Sequence, residues 1–81
     1  MTRDKLYEYI DCGNEIEFCF NGRMYSITYG IFNDKELISF CEFDQETTEV
    51  ESFEDLLAVT REGHTVLQMW ESLREEDVWI Y

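Results

Sequence analysis

The sequence predicts an α+β fold in a single domain over residues 1–81: an N-terminal helix, a three-stranded antiparallel meander, two short helices and a C-terminal strand, with the helices packed on one sheet face. Three observations carry this reading. "EIEFCFNGRMYSITY" alternates apolar and polar residues on both sides of Asn21-Gly22, the pair favoured in two-residue type I′ hairpin turns. Segments on either side of it repeat apolar residues at helical spacing behind capping residues. The closing "EDVWIY" returns to alternation.

The first helix is read from "TRDKLYEYIDCG". Thr2 is the N-cap, Asp4 sits near the positive end of the helix dipole, Leu6, Tyr9 and Ile10 share a face, and Gly13 is the stop. In the hairpin, a two-residue loop sets Phe20 opposite Arg23, Phe18 opposite Tyr25 and Ile16 opposite Ile27. Opposed residues share a face, so Ile16, Phe18, Phe20, Tyr25, Ile27 and Tyr29 point inward and Glu15, Glu17, Ser26 and Thr28 outward. After a turn at "NDKE", the stretch "ELISFCEFD" reads as a third strand with Ile38 and Phe40 inward. Leu37, Cys41 and Phe43 leave its parity open by one residue.

Ser52 then caps a helix over "FEDLLAV", with Asp55 at the reciprocal third position and Phe53, Leu56 and Leu57 facing the sheet. "REGH" breaks it at Gly63. Thr65 and Gln68 are spaced as a capping box for a second short helix with the apolar stripe Val66, Met69, Trp70 and Leu73. In the last strand Val78 and Ile80 share one face and Trp79 and Tyr81 the other.

A chain this short buries only about 60–65% of its unfolded surface. Thirteen Phe, Tyr and Trp residues compensate, each able to bury about 150–250 Å². Three cysteines, an odd number without a C-x-x-C pair, and the lack of a basic-then-apolar leader point to a reducing cytoplasmic setting. No apolar run approaches the ~20 residues of a membrane span.

The pieces "EIEFCFNGRMYSITYG", "SFEDLL" and "LQMWESL" after a Gly-containing turn resemble small uncharacterised proteins of Firmicutes and their mobile elements. Those share an "E-I-E-F-x-Y-x-G-x-x-Y-S-I" opening and a "G-x-x-L-x-x-I-W" close. The resemblance spans most of the chain and implies the α+β architecture but no activity. Phe20 stands where the pattern prefers Tyr, and His64 where it often has Lys.

Catalysis has few candidate parts. The single imidazole, His64, falls in a turn between helices, and no nucleophile motif surrounds Cys12, Cys19 or Cys41. These four have the number of a Cys3His zinc set, but six, twenty-one and twenty-two residues intervene between them, whereas structural zinc ligands come in close pairs. "DQETTEVESFED" lacks the core of a calcium loop. Glu15 and Glu17 lie about 7 Å apart on the outward face with no pocket to separate their pKa values. No enzyme activity, metal or cofactor is expected.

Charge is the strongest remaining signal. Nineteen acids against six bases give −13, and residues 42–81 hold twelve of the acids and only two of the bases. Direct nucleic-acid binding, which needs clustered Lys and Arg, is not expected. The run "EFDQETTEVESFEDL" packs Glu42, Asp44, Glu46, Glu49, Glu51, Glu54 and Asp55 into fifteen residues without a base. A globule about 30 Å across spans roughly nine phosphates of a DNA strand, so one face could imitate that charge. Two functions are expected from this. One is a phage or mobile-element inhibitor of the anti-CRISPR or anti-restriction kind, holding a basic nucleic-acid-binding protein through those seven carboxylates with Trp79 and Tyr81 as anchors. The other is a bacterial binding or regulatory module using an apolar patch of Trp79, Tyr81, Phe43 and Cys41 on the outer sheet face. Crowding of the carboxylates on one surface separates the two.

Overall fold

The hairpin turns set the sheet. In the computed structural model, which describes all of residues 1–81, Asn21 and Gly22 both have positive φ (50° and 76°), as a type I′ turn requires. They join β1 (Ile16–Phe20) to β2 (Arg23–Phe32) in the expected register, Phe18 opposite Tyr25 and Ile16 opposite Ile27. Asn33 and Asp34, also at positive φ, connect β2 to β3 (Lys35–Glu42), with Phe32 opposite Lys35. Ile38 and Phe40 point inward, which resolves the parity of this strand.

Two elements differ from expectation. The middle of the acidic run, Thr47–Val50, forms a further strand, β4, against β3. Its β-branched Thr47, Thr48 and Val50 suit a pleated strand, and the surrounding carboxylates conceal that signal. Between the short helices, Thr60–Arg61 and His64–Thr65 pair as a two-stranded ribbon, β5 and β6, around Glu62-Gly63. The meander therefore has four strands, and β7 (Val78–Ile80), preceded by a 3₁₀ turn over Glu75–Asp77, joins it beside β1. The result is a five-stranded antiparallel sheet in the order β4-β3-β2-β1-β7.

Helix α1 (Arg3–Asp11) starts at Thr2, whose hydroxyl accepts from the Lys5 amide at 3.2 Å. Helix α2 (Phe53–Ala58) is capped by Ser52, which accepts from the Asp55 amide at 3.1 Å. Helix α3 (Val66–Ser72) has the complete capping box: Gln68 N–H donates to the Thr65 hydroxyl at 3.1 Å, and Thr65 N–H to Gln68 Oε1 at 2.8 Å. All three helices lie on the inward face.

Between the layers sits an aromatic stack. The Phe18 and Tyr25 rings are 5.3 Å apart and those of Tyr25 and Phe40 5.5 Å, while Trp70 meets Phe18 edge-on at 6.1 Å. All four side chains are fully buried, and the Trp70 indole N–H donates to the Thr2 carbonyl at 2.7 Å, tying α3 to the start of α1. Arg61 closes one rim, its guanidinium 5.4 Å over the Phe40 ring and hydrogen-bonded to the Thr48 hydroxyl. Tyr29, expected inside, is 36% exposed. Strand β2 has ten residues and β1 only five, so the β2–β3 hairpin runs beyond the end of β1 as an arm carrying exposed Tyr29, Ile31 and Phe32.

Two consequences can be measured by urea unfolding. Trp70→Ala should cost about 3–5 kcal/mol, since it empties the centre of the core and deletes a buried hydrogen bond. The Tyr25 hydroxyl is buried without a partner, and burial, followed by the nearby Glu42 carboxylate, pushes its phenol up. Tyr25→Phe should therefore leave stability unchanged or raise it by about 1 kcal/mol; a loss larger than that would contradict the packing described.

Candidate interaction surface on the open sheet face

The helices cover one side of the sheet and nothing covers the other. All fifteen buried residues are inward-facing sheet residues or helix-layer residues, and none of the outward-facing ones is buried. Pairing across the strands sets one outward row as Trp79–Glu17–Ser26–Cys41–Thr47. The next contains Thr28–Ser39–Glu49, and Glu15 and Tyr81 exchange backbone hydrogen bonds at the β7 edge. Cys19 lies opposite Met24, and the Phe43 amide donates to the Met24 carbonyl at 2.9 Å.

This face combines apolar and acidic groups. Trp79 is 44% exposed, Phe43 43% and Tyr81 64%, with half-buried Cys19, Met24 and Cys41 between the strands' polar residues. Glu15, Glu17 and Glu49 supply the charge. None of them pairs with a base, because every base is engaged elsewhere. Arg3 contacts Asp4 and Lys5 contacts Glu8 on α1; Arg23 bridges Glu42 (3.3 Å) and Glu62 (2.7 Å); Lys35 holds Glu51 at 3.2 Å; Arg74 holds Glu76 at 3.6 Å; and Arg61 lies on Phe40.

The seven carboxylates of the acidic run do not share a surface. Glu42 has inward parity, opposite Tyr25, and is tied to Arg23. Asp44 and Glu46 lie in the β3–β4 turn, and Glu46 lines a hollow with Glu42, Thr48 and Arg61. Glu49 alone faces outward from β4, opposite Ser39. Glu51 follows β4 and pairs with Lys35, while Glu54 and Asp55 form the first turn of α2 on the helix side. The cause is local. A strand sends successive side chains to opposite faces, and the capping signal at Ser52 carries the end of the run into another layer. By contrast, Trp79 and Tyr81 sit on the outward face as their alternation with Val78 and Ile80 requires.

Glu17 is a site residue that the acidic run drew attention away from. It lies beside Trp79, and its carboxylate accepts from the Tyr81 hydroxyl at 3.0 Å. Its outward parity was visible in the hairpin; its neighbours depended on β7 docking against β1. Of the four residues weighed as zinc ligands, Cys12 caps α1, Cys19 and Cys41 lie on β1 and β3, and His64 stands edge-on to Phe20 with ring centroids 5.2 Å apart. No three His, Cys, Asp or Glu side chains come together as a metal-ligand group, and no helix is long and apolar enough to cross a membrane.

Comparison with known proteins adds no relative: no family model, curated protein or solved structure matches the chain.

Hydrogen bonding to Glu17 raises the Tyr81 phenol above its ordinary value of 10.0. The raised value means that this contact's contribution to stability is complete below the ordinary phenol range and is lost as pH climbs through the folded-state value. Site-resolved NMR titration of the tyrosine rings should show Tyr81 ionising late in the wild type and returning toward the ordinary range in Glu17→Gln. An unchanged Tyr81 titration in that variant would contradict the contact.

Proposed function

We propose that the protein works without catalysis, as an interaction protein whose open sheet face binds a basic protein surface. Trp79 would be the apolar anchor, and Glu15, Glu17 and Glu49 the groups that select positive charge. The observation that carries this reading is an exposed tryptophan beside Glu17 and close to Glu15 on one uncovered face, with Glu49 on the same face at its opposite edge. None of the three carboxylates has a cation of its own. Exposed aromatic residues are the common anchors of protein interfaces. A net charge of −13 would speed encounter with a basic partner and make it salt-dependent.

The acidic run is not crowded on one surface, which favours the binding module with its apolar patch over a single-face imitation of DNA charge. A nucleic-acid-binding protein, whose phosphate-contacting surface is basic by necessity, is the second reading, kept for the carboxylates of the open face. Occupation of that surface would make the chain an inhibitor, the role expected of a phage or mobile-element protein of the anti-CRISPR or anti-restriction kind. In this version the contact set shifts from the acidic run to Glu15, Glu17 and Glu49 with Trp79 and Tyr81. Glu42, Asp44, Glu46, Glu51, Glu54 and Asp55 contribute at most a long-range field.

A partner captured from a bacterial lysate, then purified and measured in isolation, provides the test. Trp79→Ala should weaken binding by about thirtyfold or more, the effect of an interface anchor worth about 2 kcal/mol. Glu17→Lys with Glu49→Lys should slow association and flatten its salt dependence. Glu46→Lys with Glu54→Lys should leave the affinity nearly unchanged. Loss of binding in that last pair, with Trp79→Ala binding normally, would reverse the assignment.

A further inference from the structure

On the other side of the sheet, away from the face discussed above, a cleft of about 230 Å³ opens between α1, the β2–β3 arm and the start of α2. Its walls include Tyr7, Tyr29 and Phe53 and the carboxylates Asp11, Glu36 and Glu51. The floor is apolar, formed by Ile10 and Ile38, which are 6% and 5% exposed. Tyr7 is 50% exposed and meets Phe53 edge-on, with ring centroids 5.2 Å apart.

Charge in the cleft is unbalanced. Glu51 is held by Lys35, but Asp11 and Glu36 make no ion pair. Both lie close enough to Tyr29 to act on it: interaction of its hydroxyl with Glu36, followed by burial and the charges of Glu36 and Asp11, holds that phenol protonated above its usual range. The chain also shows how such rings take a cation, since the Arg3 guanidinium lies 5.1 Å from the centre of the Phe53 ring.

Aromatic walls, an apolar floor and unpaired carboxylates together select a flat, delocalised cation. An arginine side chain can stack on a ring and present its fork of donors to a carboxylate, whereas a lysine ammonium is more strongly hydrated and lacks the plane. Size points the same way, because the cleft is smaller than the roughly 300–1,000 Å³ of pockets that enclose drug-sized ligands. We propose that this cleft is a receptor site for the guanidinium group of an arginine side chain on a partner protein, with the guanidinium against Tyr29 and Tyr7 and its donors directed to Glu36 and Asp11. The site is separate from the open sheet face and stands whether or not that face binds a partner.

The test is a titration of the intact protein with N-acetyl-L-arginine amide, followed by NMR of the tyrosine rings and backbone amides. Saturable shifts are expected at Tyr7, Asp11, Tyr29 and Glu36, with a dissociation constant on the order of millimolar. The neutral citrulline analogue, nearly the same shape without the charge, should give no saturable shifts, and N-acetyl-L-lysine amide should bind more weakly. Tyr29→Leu should weaken arginine binding about two- to fivefold. Glu36→Gln should weaken it by up to about fivefold. Both positions lie on the exposed arm, and unchanged urea unfolding will verify the fold. The assignment is overturned if arginine shifts are absent or spread over the whole acidic surface, if citrulline or lysine binds as tightly, or if neither variant weakens binding.

Discussion

The register of the β1–β2 hairpin decides what every other part of this protein can do. Asn21 and Gly22 adopt the positive φ angles of a type I′ turn, and with the turn length set, the faces of ten residues follow. Ile16, Phe18, Tyr25 and Ile27 enter the core, and Glu17, Cys19, Met24 and Ser26 leave it. A slip of one residue would exchange the two sets, placing Glu17 against Trp70 and Phe18 in water. The Phe18–Tyr25–Phe40 stack depends on that register, and Trp70 carries it onward to α3 and, through the Thr2 carbonyl, to α1. A short chain can fold around so few strands because large aromatic rings supply much of the buried area.

One covered face implies one free face. Three short helices span the inward side, and the outward side remains open to solvent, with its apolar groups held between strands and its tryptophan at the β7 edge. The distribution of bases sharpens this. Arg23 and Arg74 are bound to acids outside the open face, Lys35, of outward parity at the far end of β3, is taken up by Glu51, and Arg61 is part of the core rim. Glu15, Glu17 and Glu49 consequently project negative charge without local compensation. The net charge of −13 is therefore less informative than its arrangement: much of the acidic run is neutralised locally or turned to another layer, while Glu15 and Glu17 lie beside Tyr81 and Trp79 at one edge of the open face and Glu49 stands at the opposite edge, on β4.

What was legible in the sequence follows from the range of the signals. Alternation about Asn21-Gly22, the caps at Thr2, Ser52 and Thr65, and the stripe Val66, Met69, Trp70 and Leu73 are local patterns, and each forms the expected element. Strand β4 was concealed because Thr47, Thr48, Glu49 and Val50 lie within a charged stretch and their pairing to β3 is a tertiary event. The β5–β6 ribbon is too short to show a period. Tyr29 has the inward parity read for it, but α1 and the start of α2 stand off from it across a cleft instead of packing onto it, so it stays partly exposed. The same distinction governs the candidate surface. The outward parity of Glu15, Glu17, Trp79 and Tyr81 could be read from alternation, whereas the docking of β7 beside β1, which makes them neighbours, could not.

The account rests on the open sheet face being the surface that meets a basic protein. NMR shift mapping of the isotope-labelled chain in complex with its purified partner examines this directly. The account expects the perturbed residues to be the outward-facing members of β1, β2, β3, β4 and β7, centred on Glu17, Ser26, Cys41 and Trp79, with α1, α2 and α3 little changed. Perturbations centred on the helix layer, with Trp79 and Glu17 unmoved, would contradict it.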